Sequence, residues 1–188
     1  MLSAVAALLW PAPLGPDLDP QAVADSRERL AAIGAALERS LDHGPEVRLS
    51  IHQEELGVLA ADLAGEKDGT GVTLRVRPET VSVGFRIPTP VGLTAHIRLV
   101  IQPSLLDGRL FLGLRGVRIG LLPIPPAWFV SIQAGDGGSG WLFSRGTPGY
   151  ALPGRLLHEG IAWEISDLWC IDGWVEVVLT RVVTAGDR

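Results

Sequence analysis

Val91-Gly92-Leu93-Thr94-Ala95-His96-Ile97-Arg98-Leu99-Val100-Ile101-Gln102 is the stretch that decides the fold class. Valine, leucine, alanine and isoleucine hold the odd positions, and glycine, threonine, histidine, arginine and glutamine hold most of the even ones. Successive side chains of a strand point to opposite faces, so a period of two over this length describes a strand with one buried and one wet face. The pattern continues outward in both directions. Upstream, Val72, Leu74 and Val76 alternate with Thr73, Arg75 and Arg77, then Pro78-Glu79 turns the chain. Val81, Val83, Phe85 and Ile87 then alternate with Ser82, Gly84 and Arg86 until Pro88-Thr89-Pro90 breaks the run. Downstream, Asp107-Gly108 is a strong hairpin signal, and Leu110, Leu112 and Leu114 resume the alternation. The phase then slips by one, to Val117, Ile119 and Leu121, which predicts a β-bulge near Arg115-Gly116.

Outside this block the reading changes. Asp19-Pro20 opens an amphipathic helix whose apolar stripe is Val23, Leu30, Ile33, Leu37 and Leu41, and His43-Gly44-Pro45 stops it. A short extended piece, 47–51, leads to a second helix over about 53–64, with Ser50 and Gln53 at capping-box spacing. Leu122-Pro123-Ile124-Pro125-Pro126 closes the strands and permits a short helix over 127–133. Residues 135–140 read as a loop and 141–154, rich in glycine and proline, as irregular. The C-terminal part is a hairpin turning at Asp172-Gly173, with Ile161, Trp163, Ile165, Trp169 and Ile171 on odd positions. The organisation expected is an apolar stub and proline-rich linker over 1–18, then a single α+β domain over 19–188. The stub, Met1 to Trp10, is half the length a membrane span needs and lacks the positive flank of a secretory signal. It reads as a signal or anchor remnant, as a segment packed on the domain, or as a tail.

Composition narrows the function classes. With 47% hydrophobic residues and a mean hydropathy of +0.28, the chain has apolar surface to spare beyond a simple core, or else a large core under short loops. The net charge is −5 and no basic block is visible along the chain, which argues against a nucleic-acid partner. The single cysteine, Cys170, sits in an apolar strand and reads as a buried, inert thiol.

Catalytic patterns are sought and not found. Gly135-Asp136-Gly137-Gly138-Ser139-Gly140 fits the letters of a dinucleotide fingerprint, but no helix-forming sequence follows it and no strand–helix–strand alternation surrounds it. Ser139 fails the nucleophile-elbow pattern because Trp141 stands where glycine is needed. His43, His52, His96 and His158 form no metal-binding pair at helical spacing. The expectation is a protein that is not an enzyme, with no cofactor and no metal. Trp128, Trp141, Trp163, Trp169 and Trp174 crowd the C-terminal third, either as core or as rings at an apolar mouth or membrane surface.

The order of these pieces carries a resemblance. A helix, a short strand, a second helix beginning Leu49-Ser50-Ile51-His52-Gln53-Glu54-Glu55-Leu56, long strands, and the closing Gly116-Val117-Arg118-Ile119-Gly120-Leu121-Leu122-Pro123-Ile124-Pro125 together resemble small bacterial extracytoplasmic proteins related to the tubular lipid-binding (TULIP) domains, of the YpmS and LmeA type. The likeness spans about residues 20–132 and rests on order and pattern. It implies a strongly curved antiparallel sheet wrapped around the N-terminal amphipathic helix. It also implies an apolar groove or filled core lined by Leu30, Ile33, Leu37, Leu74, Val76, Val83, Phe85, Leu93, Ile97, Leu99, Leu112 and Leu114. Trp128, Phe129 and Trp141 would stand at the mouth or touch a membrane. The function implied is binding of a lipid or other apolar small molecule at a membrane surface, periplasmic or otherwise extracytoplasmic. The alternative is an interaction module in a larger assembly, using an apolar face or sheet edge.

Overall fold

The computed structural model describes residues 20–63, 72–88, 94–133, 141–144 and 146–182. Helix α1 spans Pro20–His43, strand β1 Glu46–His52 and helix α2 Gln53–Leu63. Strands β2 to β6 follow at Val72–Arg77, Thr80–Pro88, Thr94–Leu106, Arg109–Ile119 and Leu122–Ile124, then helix α3 at Pro126–Gln133. Strands β7 to β11 are Trp141–Ser144, Thr147–Pro153, Arg155–His158, Ile161–Ile171 and Trp174–Arg181. The class is α+β with antiparallel pairing throughout, as the alternation predicts.

The expected single wrapped sheet is instead two open sheets. The larger has seven strands in the order β2-β3-β4-β5-β8-β7, with β6 paired to β5; the smaller runs β1-β11-β10-β9. Strong curvature is not a feature of either, and the long helix is not enclosed by the larger sheet. It packs on β1 and α2, and its Leu37 and Leu41 join Val47, Trp163 and Leu179 of the smaller sheet. The reason is the long-range pairing of β1 with β11, Glu46 opposite Thr180 through His52 opposite Trp174. That pairing builds a second apolar face, and the helix stripe buries there.

The larger sheet buries its apolar face beneath α2 and α3. Ala60 and Ala61 of α2 pack on Val72, Val83, Leu74, Val81, Phe85 and Ile101. Val130 and Phe129 of α3 pack on Leu114, Val117, Leu99 and Ile101. The bulge falls where the phase slip places it: Val100 pairs with Gly116 and Ile101 with Leu114, so Arg115 is the extra residue. The Asp107-Gly108 turn has both φ values positive, 50° and 69°, the geometry of a two-residue hairpin.

Three local readings are corrected. The glycine- and proline-rich 141–154 holds β7 and β8, and β8 lies against β5. Its glycine has a packing role, because Gly149 and Gly113 leave room for the buried Phe111 ring; a Cβ at Gly149 would overlap that ring. The cap of α2 moves two residues on: the His52 amide donates to Glu55 Oε2 at 2.7 Å, which satisfies the first orphan donor of the helix. In β10 a register shift between Ile165 and Asp167 inserts Ser166. The odd positions therefore change face, so Trp163 is buried while Trp169 and Ile171 are exposed.

Glu55 is buried, and Arg29 of α1 donates to it through Nε at 2.8 Å, with Nη2 also reaching Ser26 Oγ at 3.1 Å. This ion pair joins the two helices, and its carboxylate sits where water cannot solvate it. Arg29→Met is expected to cost about 2 kcal/mol, less than a fully buried pair because the guanidinium is half in water. A urea titration of the variant against the parent checks this, and an unchanged midpoint would contradict it.

Candidate functional site

The residues expected to line one groove are distributed over separate clusters. Leu37 belongs to the smaller sheet's core. Leu74, Val83 and Phe85 lie under α2, and Leu99 and Leu114 under α3. Val76 is fully buried, and Leu30, Ile33, Ile97 and Leu112 are half-buried. Leu93 and the apolar stub lie outside the described residues, as do the glycine-rich 135–140. Of these positions only Leu74 touches the principal cleft. At the expected mouth, Phe129 faces the core and Trp128 is 68% exposed. Trp141 opens β7; its side chain is outside what is described.

A cleft among the described residues lies over the opposite face. It measures about 930 Å³ and runs from β2 across β3, β4 and β5 to β6 and the start of α3. Alternation dictates its lining. With Val72, Leu74 and Val76 turned to the core, Thr73, Arg75 and Arg77 must turn the other way. Register then carries that face across the sheet: Thr73 opposes Gly84, Gly84 opposes Arg98, Arg98 opposes Arg118, and Arg118 opposes Pro123. The next row is Arg75, Ser82, Val100 and Gly116. The bulge at Arg115 turns that side chain to the same face, where Nε donates to Gln102 Oε1 at 2.6 Å and Nη1 to Thr147 Oγ1 at 3.0 Å.

Five arginines thus line one cleft, namely Arg75, Arg77, Arg98, Arg115 and Arg118, and no aspartate or glutamate is among the described lining residues. Arg75, Arg77 and Arg118 have no hydrogen-bonded or ion-paired partner among the described residues. Between the long side chains the floor is low, because β3 contributes Ser82 and Gly84 and β5 contributes Gly116. A Cβ at Gly116 would meet Val100 at 3.6 Å, an ordinary contact, so the core does not demand glycine there. The far wall is apolar, formed by Ile124 with Pro123, Pro125 and Pro126. In a chain of net charge −5 this is a local reversal of sign. The linear sequence shows no basic block because the arginines are spread over three strands, β2, β4 and β5, and converge only through register.

Catalytic groups are sparse in this cleft. Its hydroxyl side chains, Thr73 and Ser82, have no histidine or carboxylate among the described lining residues to activate them. Burial pushes the Cys170 thiol above its ordinary value, so it stays protonated near neutral pH. His96, expected on the wet face, is half-buried with Nδ1 shielded and unpartnered among the described residues. One cluster was not foreseen: Asp42 at the end of α1 meets His158 and Glu159 of the β9–β10 turn, with ligand-type atoms within 4.8 Å of one another. His158 Nε2, half-buried, lies 3.4 Å from the exposed Asp42 Oδ1, a pairing that ties the helix end to the end of β9. Sequence spacing could not show it, since more than a hundred residues separate its two halves.

The fold and cleft define an α+β protein of two open antiparallel sheets with a cationic trough on the wet face of the larger one. Comparison with known proteins finds no matching family model, no matching curated protein and no matching solved structure. No helix among the described residues is long and apolar enough to cross a membrane.

Proposed function

We propose that the protein binds a lipid-like amphiphile without transforming it, at a membrane surface outside the cytoplasm, and that the cleft over β2 to β6 is the seat. The composition of the cleft carries this reading: guanidinium groups on the sheet face oppose a wall of Ile124 and three prolines, with Val100 between. An amphiphile presents the same two chemistries, and each methylene it buries contributes about 0.8 kcal/mol. Trp128 stands exposed two residues beyond Pro126 of that wall, and its ring is of the kind favoured at a membrane–water interface. The resemblance to extracytoplasmic lipid-binding domains points the same way, with the ligand now on the arginine-bearing face and not against the long helix. A polynucleotide fits poorly, since the cationic surface is confined to one cleft of an acidic chain.

The test is native mass spectrometry of the full chain purified in mild detergent, with solvent extraction of what it carries. A discrete lipid near one per chain supports the reading. A ligand-free protein that takes up no fluorescent fatty acid overturns it. A second reading, an interaction module in a larger assembly, draws on Trp169, Ile171 and Trp174, all exposed, which the Ser166 bulge and the β10–β11 register place side by side.

A further inference from the structure

We infer that the polar end of the ligand is a multiply charged oxyanion of the phosphate class, held by Arg75, Arg77, Arg98, Arg115 and Arg118. This rests on the proposed seat and specifies what it recognises. The first support is register. Arg98 and Arg118 are directly opposed on β4 and β5, and like charges at such positions destabilise a sheet. The second is accounting. Arg75, Arg77 and Arg118 have no partner among the described residues and the described lining holds no carboxylate, so a single negative charge would leave most of the charge on these three unanswered. The third is reach. From β2 to β5 is three strand spacings, about 14 Å, and arginine side chains from both ends can converge over the low floor of Ser82, Gly84 and Gly116. The fourth is preorganisation. Arg115 is already held by Gln102 and Thr147 through Nε and Nη1, which fixes the plane of its guanidinium. A guanidinium presents paired N–H donors in a planar fork that matches phosphate oxygens, which is why several in one cleft select that group.

The phosphate has two possible sources, a lipid headgroup or a soluble phosphate ester, and the probes separate them. The full chain is titrated calorimetrically with dihexanoyl phosphatidic acid, dihexanoyl phosphatidylcholine and glycerol 3-phosphate. Phosphatidic acid is expected to bind at least tenfold more tightly than phosphatidylcholine, with affinity falling as salt is raised. If glycerol 3-phosphate binds far more weakly, the source is a lipid; if it binds as well, the source is a soluble ester. Arg75→Gln and Arg118→Gln are each expected to weaken phosphatidic acid about tenfold, the loss of one charge-assisted hydrogen bond, while Arg48→Gln on the smaller sheet leaves it unchanged. Arg118→Gln also relieves the opposition to Arg98, so its melting temperature should rise by about 2 °C. That rise separates a binding defect from a folding defect. Equal affinity for phosphatidic acid and phosphatidylcholine, or full binding by both glutamine variants, overturns the inference. If a lipid co-purifies while phosphatidic acid fails to bind, the binding-protein reading stands and the oxyanion falls; if neither is found, both fall.

Discussion

Trp163→Ala is expected to lower the unfolding free energy by about 4 kcal/mol, the cost of removing a large aromatic ring from a packed core. Trp163 is fully buried, and with Leu41, Val47 and Leu179 it forms the cluster that joins α1 to the smaller sheet. Loss of the ring removes contacts from all three neighbours at once, and a backbone held by pairing to both β9 and β11 cannot collapse to fill the space. A domain of this size has about 5–15 kcal/mol in hand, so the variant is expected to unfold at much lower urea. Trp163→Phe should cost far less. The indole Nε1 is buried without a hydrogen-bond partner among the described residues, and a buried donor left unmade costs about 1–3 kcal/mol. Phenylalanine removes that burden while keeping most of the ring, so the two losses offset. Equal destabilisation by alanine and phenylalanine in chemical unfolding would show that the indole nitrogen has a partner.

Gly154→Ala is expected to cost about 3 kcal/mol, at the upper end of overpacking penalties. A Cβ there would overlap the Gly108 carbonyl oxygen, with the Gly108 carbonyl carbon at 2.9 Å and Arg109 Cα at 3.2 Å. All three are backbone atoms, so no side chain can swing aside. Gly154 also accepts a hydrogen bond from the Ile165 amide at 2.8 Å, which ties the larger sheet to β10. Moving the chain to admit a methyl group breaks that link. The effect should appear as an early loss of protection at the Ile165 amide in hydrogen exchange. Gly146→Ala, where a Cβ meets nothing within 4 Å but φ is +78°, should show only a modest cost from backbone strain. If the two alanine variants lose equal stability, the contact with Gly108 is not what glycine 154 serves.

Local pattern determined a large part of this protein. Strands β2 to β5, the bulge at Arg115, the hairpin at Asp107-Gly108 and both N-terminal helices follow from periodicity and turn chemistry, which depend on neighbours close in the chain. Three things were beyond that reach. Strands β7 and β8 carry too much glycine and proline to look like strands; β8 pairs with β5, and its Gly149 leaves room for the Phe111 ring of that strand, a contact no local pattern encodes. The Ser166 bulge exchanges the faces of β10 while the apolar residues stay on odd numbers on both sides of it, interrupted only at Asp167, so Trp169 and Ile171 look like core partners of Trp163. The destination of the α1 stripe depends on β1 pairing with β11 across more than a hundred residues, and no local signal encodes that choice. The candidate site divides the same way. That Arg75, Arg77, Arg98 and Arg118 leave the apolar face is legible from alternation alone. That they stand over one cleft, with Arg115 swung in beside them, was decided by the tertiary structure, because only strand register and the bulge determine which residues become neighbours across a sheet.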